Sequence, residues 1–385
     1  MIRIALIELQ MHNEVLGAFI RHFASEKHHL TVFTTPRNKD YLADYSQFVN
    51  KWIIKKEQIS AQQFLEAQKQ KIGNHVLVIV ISADESPYKI LRKTWNAITA
   101  CVLHNVHTEL GMKQYLANIN TLTLFKNWLK SKVSEIASNR NVLIESSDIL
   151  LVPHATILDS LLEENSIPDD IKLKLQTLNF ESFRHTPFTF HKNVISIVIP
   201  GSVNRYSRNY DEFVYALNKL NTDELKKIRV YLLGNSNSRE GRTIVSKFKK
   251  IPFLDLYYYH HEPEQSDYDK IILNADLLIL PLREVITYGN HLETRLKSCI
   301  SGNFHDVSHY GKPALAPKFA EILNHPLIDT YGNEDDLITK LKEKISNISM
   351  NSERLELFNQ YKSNKLIETQ DQVNNLIKTC LELKA

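Results

Sequence analysis

Residues 194–210 read VISIVIPGSVNRYSRNY. A β-branched run ends at Pro200 and Gly201, and a polar loop carrying Arg205 and Arg208 follows. A strand that is apolar on both faces belongs to a parallel sheet covered on both sides, and the stretch from about Asn209 to Leu220 has the helical pattern expected of a cover. The same unit recurs downstream as IRVYLLG, LDLYYYH, ADLLILPL and PALAP, with helix-compatible segments between them, including one around Ile244 to Lys249 and one ending near His309. Upstream it appears as Ile2 to Leu9, Leu30 to Thr34, Val76 to Ser82, Ala100 to Leu103, and the pair Val142 to Ile144 and Ile149 to Pro153, before the helical ATILDSLLEEN. Strands alternating with helices predict an α/β protein with two doubly wound, Rossmann-like domains. The segment LNFESFRHTPFTFHKN, with Pro187 among aromatic and polar residues, separates them. We therefore expect an N-terminal domain over residues 1–187 and a C-terminal domain over 188–365. A helical tail completes the chain, its last helix, 366–385, expected to pack back on the first domain.

The bulk properties fit two such domains. A chain of 385 residues exceeds what one hydrophobic core usually supports. Its 43% hydrophobic and 24% charged residues are those of an ordinary globular protein. A formal net charge of +3 is too mild to mark a nucleic-acid binder, though it suits anionic ligands. Cys101, Cys299 and Cys380 form an odd set without CxxC spacing, which points to a reducing cytoplasm and to no disulfide framework or zinc site. The N-terminal MIRIALIELQ reads as a buried strand and not a signal peptide, and no apolar stretch approaches the roughly 20 residues that cross a bilayer.

Ligands of open α/β sheets bind beyond the carboxyl ends of the strands, and two sheets facing each other across a cleft would place those ends together. The informative loops should therefore follow strands. In the second half these are PGSVNRYSRNY and LREVITYGNHLETRLKSCISGNFHDVSHYGKPALAP. A small-residue turn entering a helix exposes unpaired N–H groups at the positive end of the helix dipole, which suits a diphosphate. Ser301 and Gly302 are the candidate cradle; Arg205, Arg208 and Lys297 are candidate cations for the same phosphates, and Ser202 lies on the same loop as the arginines. Read singly, each segment is as well explained by a solvated loop or a plain turn.

Taken in order, PGSVNRYSRNY, VYLLG, NADLLILPL, the SG turn, Asp306 and YGKPALAP resemble the second-domain signature of GT-B glycosyltransferases, in particular family 4-like bacterial enzymes of cell-surface polysaccharide assembly. The resemblance covers residues 194–320 well and the first half loosely. It implies a GT-B architecture, a nucleotide-diphosphate sugar as donor substrate, no further cofactor and no metal. It also implies a glycan, lipid-linked or protein-linked acceptor. Asp306, five positions before the glycine of the GKP turn, falls where such enzymes place a ribose-binding glutamate. The partner acid of that family, eight residues earlier, is Ser298 here, so the retaining stereochemistry is not implied. Thr287, Tyr288 and Gly289 match the loop that approaches the donor, and Lys297 stands four residues before Ser301 where many relatives place a lysine two before.

In the first half, IELQMHNEV and VLHNVHTELG follow strands. His104, His12 and Glu14 are candidate catalytic residues, since a side chain near an acceptor hydroxyl can remove its proton and an imidazole titrates near neutrality. The bland alternative is a hydrogen-bonded structural histidine. His104, His107 and Glu109 form a loop string that lacks the further ligand a metal needs. Asp267 and Asp269 form a DxD at a helix start, where capping is the expected role. The string TLFKNWLKSKVSEI, with Leu124, Trp128, Leu129 and Val133 among Lys126, Lys130 and Lys132, predicts a basic amphipathic helix, either solvated or resting peripherally on the inner membrane surface. A nucleotide-sugar 2-epimerase and a non-catalytic nucleotide- or glycan-binding subunit are the alternative functions carried by the same fold.

Overall fold

The computed structural model describes residues 1–10, 12–82, 96–117, 143–184, 194–220, 227–346 and 352–385. The first sheet is built from β1 (Ile2–Glu8), β2 (His28–Thr34), β3 (Lys51–Ile54), β4 (Leu77–Val80), β5 (Ile98–Val102), β6 (Ile149–Val152) and β7 (Leu175–Thr177). Its order is β3-β2-β1-β4-β5-β6-β7, and every pairing is parallel. The strand order reverses between β1 and β4, so their carboxyl ends frame the crevice of this sheet.

The second sheet contains β8 (Val194–Pro200), β9 (Lys227–Asn235), β10 (Leu254–Tyr259) and β11 (Leu277–Ile279). After a separate two-stranded sheet of β12 (Val285–Tyr288) and β13 (His291–Thr294), it resumes with β14 (Ala314–Pro317) and β15 (Ile328–Tyr331). The order is β10-β9-β8-β11-β14-β15, again parallel throughout, with its reversal between β8 and β11.

Both sheets are covered by helices, which is why the central strands read as continuous apolar runs. Ile195, Ile197, Ile199, Val230, Leu232, Phe213 and Phe248 share one core cluster, while Ile4, Leu6, Val32, Phe19 and Phe23 share another. Each such fully buried side chain contributes ~1.5–3 kcal/mol. The strands that the sequence pattern does not announce, β3, β7 and β15, lie at the sheets' edges or are only three or four residues long. An edge strand is covered less completely, so its residues need not be uniformly apolar. The expected strand Val142–Ile144 is not one where it is described: residues 143–146 are helical, with Leu143 and Ile144 buried.

Two compact units result. The first comprises Met1–Ser182, Thr287–Ile300 and Leu366–Ala385; the second comprises Phe183–Ile286 and Ser301–Lys365. The unit change thus falls at Phe183, and the segment Thr287–Ile300, expected within the C-terminal domain, belongs to the first unit. In the long helix Ser352–Lys384, Val373, Leu376 and Cys380 join the core that contains Phe19 and Phe180. Asn179 fastens that helix, its backbone N–H donating to Gln372 Oε1 at 2.9 Å and its Nδ2 to Glu368 Oε1 at 3.0 Å. Among the described residues no helix is long and apolar enough to cross a membrane. The basic amphipathic string at 123–136 and Pro187 lie outside the described residues.

Candidate functional site

At the reversal point of the second sheet, β8 ends in a turn at Gly201, which adopts φ +83°. Two glycines make this turn possible. A Cβ on Gly201 would meet Arg208 Nη2 at 2.5 Å, and one on Gly234 would meet the Gly201 carbonyl oxygen at 2.2 Å. The loop that follows is rigidly held. Asn204 Oδ1 accepts from Ser207 N at 3.0 Å and from Ser207 Oγ at 2.9 Å. Arg283, just beyond β11, donates from its backbone to Ser207 O at 3.0 Å and from Nε to Arg205 O at 2.9 Å.

This arrangement separates the two arginines of the loop. Arg205 reaches Asp211 at 3.4 Å, on the exposed side, where Lys247 also binds that carboxylate. Arg208 turns inward and is only 5% exposed. Its Nη2 donates to Asn303 Oδ1 at 2.8 Å, whereas Nε and Nη1 have no hydrogen-bond partner among the described residues. A buried guanidinium with two unpaired nitrogens is energetically unfavourable unless an anion completes it.

Asn303 sits in the first turn of the helix Gly302–Tyr310, whose N-cap is Ser301, with Ser301 Oγ accepting from Asn303 N at 3.4 Å. Gly302 leaves open space where a Cβ would stand. Ser301, Gly302 and Arg208 therefore surround one helix N-terminus, the positive end of its dipole. Asp306, one turn further on, is buried: its Oδ2 accepts from Tyr268 Oη at 3.0 Å and from Asn303 Nδ2 at 3.1 Å. Ser202 is exposed, with its Oγ accepting from Asn204 Nδ2 at 2.8 Å.

Tyr288, Gly289 and Lys297 belong to the first unit. Gly289 turns the chain between β12 and β13 at φ +56°, and the Tyr288 carbonyl accepts from Thr108 Oγ1 at 3.2 Å. Lys297 is exposed in a turn closed by Ser298 N and Thr294 O at 2.8 Å. Ser298, at the position of the family's first acid, is buried with Oγ accepting from Thr294 N at 2.9 Å. Asp269 does not cap its helix. It accepts from Tyr310 Oη and Gln265 Nε2, both at 2.6 Å, and binds Arg184 at 2.7 Å. Those protein donors account for both of its oxygens, and Asp267 is the exposed first-turn acid.

In the first unit a second polar cluster occupies the carboxyl ends of β1, β4 and β5. Glu8, the fully buried last residue of β1, was not singled out by the sequence reading. It accepts from Ser82 Oγ and from Gln10 N, each at 2.5 Å, and burial raises its pKa against the pull of His12 and these donors. A carboxylate directly following the apolar run Ile4–Ile7 was the available signal.

His12 precedes the helix Asn13–His22 and lies 3.4 Å from Glu14. Burial pushes its pKa down, but the hydrogen bond and charge of Glu14, with Glu8 and Glu109, prevail and hold it at about 9. His104 stacks on His12 with ring centroids 4.0 Å apart and planes 10° from parallel. Its Nε2 donates to the Ile81 carbonyl at 2.8 Å, which fixes the tautomer and leaves Nδ1 as the acceptor nitrogen. Burial and the neighbouring His12 charge depress its pKa to about 3. The two stacked rings are thus shifted in opposite directions.

The loop bearing His104 is held from far along the chain. Glu109 Oε2 accepts from His104 N at 2.9 Å. Glu293, fully buried on β13, accepts from Thr108 N at 2.8 Å, Thr108 Oγ1 at 2.7 Å and His107 N at 3.3 Å, so it caps the short helix Val106–Glu109. His107 donates from Nδ1 to Leu292 O at 2.7 Å and stacks on Tyr115, which makes it structural. Among the described residues no group of three metal-ligating side chains is gathered.

No family model matches the chain, and no curated protein is significantly similar to it in sequence. Solved structures are similar in fold. HepE of Anabaena in complex with UDP-glucose is 10% identical with a TM-score of 0.61, over 98% of this chain and 100% of that one. A Listeria monocytogenes protein assigned as a UDP-N-acetylglucosamine 2-epimerase is 12% identical with a TM-score of 0.53, over 90% of this chain and 88% of that one. The N-terminal domain of Candida albicans trehalose-6-phosphate phosphatase is 14% identical with a TM-score of 0.54, over 99% of this chain and 96% of that one. At such identities the likeness establishes the fold, an α/β GT-B fold of two Rossmann-like units, and leaves function to the site.

Proposed function

We propose that the protein is a glycosyltransferase that moves a sugar from a nucleotide-diphosphate donor, held by the second unit, to an acceptor hydroxyl. The observation that carries this reading is Arg208, buried at a strand-order reversal beside a helix N-terminus with two guanidinium nitrogens unpaired. A diphosphate supplies the oxygens that complete it. In this reading the backbone at Ser301 and Gly302 contributes further N–H donors, while Ser202 and Arg205 extend the polar lining. The HepE complex with UDP-glucose is a GT-B-fold protein holding a ligand of the proposed class.

In transfer, a bond forms between the acceptor oxygen and the anomeric carbon. The bond from that carbon to the diphosphate oxygen breaks, its electron pair leaving with the nucleoside diphosphate. Arg208 and the helix dipole stabilise that departing charge, the compensation that a metal would otherwise provide, and no further cofactor is invoked. The acceptor proton passes to a base. Among His104, His12 and Glu14 we assign that role to His12, because a ring titrating at about 3 accepts protons poorly whereas His12, at about 9, binds one strongly once deprotonated. His104 then packs and orients the ring, and Glu14 carries its counter-charge. The acceptor in this reading is a glycan or a lipid- or protein-linked glycan, as in surface-polysaccharide assembly, and the reaction runs in the cytoplasm.

The test is a thermal-shift screen of UDP, GDP, CDP and dTDP with the unmodified protein and Arg208→Ala. Stabilisation by one nucleotide, lost in the variant, is the expected result. No stabilisation by any of them would remove the donor site from the proposal and favour a non-catalytic subunit. A 2-epimerase is the second reading, favoured by the stacked His12 and His104 rings, which offer one protonated and one neutral group in one place. Epimer formed from donor alone, without acceptor, would select it.

A further inference from the structure

We propose that Asp306 does not grip the donor ribose but acts as a positioning residue, orienting Arg208 toward the diphosphate through Asn303 in the chain Tyr268–Asp306–Asn303–Arg208. This rests on the diphosphate reading of the second unit given above.

The argument begins with the amide of Asn303. Its oxygen faces the guanidinium, accepting from Arg208 Nη2 at 2.8 Å, and its nitrogen faces the carboxylate, donating to Asp306 Oδ2 at 3.1 Å. The same nitrogen donates to the Pro200 carbonyl at the end of β8, at 3.2 Å. An amide placed between a cation and an anion has one favourable orientation, oxygen toward the cation and N–H toward the anion. Asp306 thus fixes which way Asn303 points, and Asn303 fixes Nη2 of Arg208. With Nη2 held, the guanidinium plane is fixed, and Nε and Nη1, which have no partner among the described residues, are left as donors for phosphate oxygens.

Asp306 is itself anchored from behind. Tyr268 Oη donates to the same Oδ2 at 3.0 Å, and burial with the Asp306 charge raises Tyr268 well above its ordinary range, so it remains a neutral donor. Asp306 is 8% exposed and already receives two protein donors, which suits a residue working inside the fold more than one reaching for sugar hydroxyls. The charges also balance, because the carboxylate offsets the buried guanidinium while Asn303 occupies only Nη2.

The experiment uses the full chain and titration calorimetry with inorganic pyrophosphate, with UDP, GDP and CDP, and with their 2′,3′-dideoxy counterparts. Asp306→Asn and Asn303→Ala are expected to weaken pyrophosphate and the preferred nucleotide alike, by about tenfold, because both lose the oriented guanidinium. The ratio of affinities between that nucleotide and its dideoxy counterpart is expected to stay as in the unmodified protein. Tyr268→Phe, which removes one hydroxyl, should give a smaller loss of the same kind and serves if either other variant fails to fold. Unchanged pyrophosphate affinity in Asp306→Asn, with the dideoxy ratio falling to one, would overturn the relay and return Asp306 to the ribose. Pyrophosphate and nucleotides that bind Arg208→Ala as well as the unmodified protein would instead sink the diphosphate site itself, and the relay with it.

Discussion

The polar clusters at the two sheet reversals solve opposite problems. In the first unit Glu8, Glu14 and Glu109 set carboxylates around the ring of His12, and protein donors already occupy oxygens of Glu8 and Glu109. In the second a guanidinium is buried with two nitrogens that have no partner among the described residues, and an amide links it to a carboxylate. The first cluster gathers carboxylates about a titratable ring and is suited to managing a proton; the second presents a cation and is suited to an anion. One fold, used twice, thus yields two chemistries from the residues that follow β1 and β8.

The largest expected effect contrasts the two clusters directly. Arg208→Ala should weaken nucleoside diphosphate binding by at least about tenfold, because two charge-assisted hydrogen bonds are lost. His12→Ala should leave it within about twofold, and comparable losses from both variants in calorimetry would break the division of labour. The backbone under the anion site comes next. Gly234→Ala drives a Cβ to 2.2 Å from the Gly201 carbonyl oxygen, whereas Gly302→Ala meets nothing within 4 Å. Chemical denaturation should show Gly234→Ala destabilised by about 2 kcal/mol or more and Gly302→Ala nearly unchanged. Equal stability of the two would show that the turn relaxes freely.

A smaller effect sharpens the first-unit side. If His12 is the base, kcat/KM should rise with pH and level off above about 9; a profile without that rise would remove His12 from the role. Because the His12 pKa lies above its ordinary 6.5, its contribution to stability is fully present below 6.5 and is lost as pH rises through about 9. The buried histidines of both units act in the reverse direction and form the mildest test. His22, held at about 4 by burial, and His325, held at about 3, protonate more readily in the unfolded chain. Thermal midpoints should therefore fall as pH drops below about 6.5, and His325→Gln should blunt that fall. An unaltered acid profile in the variant would show that other groups govern it.

Much of the architecture was legible because apolar runs are local. VISIVIPG, IRVYLLG and ADLLILPL could hardly be anything but covered strands, and Gly201 marks the turn that a strand-to-loop reversal needs. Edge strands such as β15, IDTY, escaped notice because nothing requires them to be apolar on both faces. The hairpin β12–β13 escaped for a stronger reason. Its fully buried side chain is a carboxylate, Glu293, a burial that no hydropathy pattern announces.

By itself, then, the sequence determined the two parallel sheets and the loops in which polar residues gather, while the strand orders that put reversals between β1 and β4 and between β8 and β11 came from the fold. Hydrophobic burial and glycine geometry act over a few residues and leave a readable trace. Only the tertiary structure decided that Arg208 turns inward while Arg205 meets Asp211, that Asp306 binds Tyr268 and Asn303, and that Glu293 caps a helix 186 residues earlier. The pairing of buried charges depends on which groups packing brings within hydrogen-bond reach, and that distance is set by the whole fold and not by spacing along the chain.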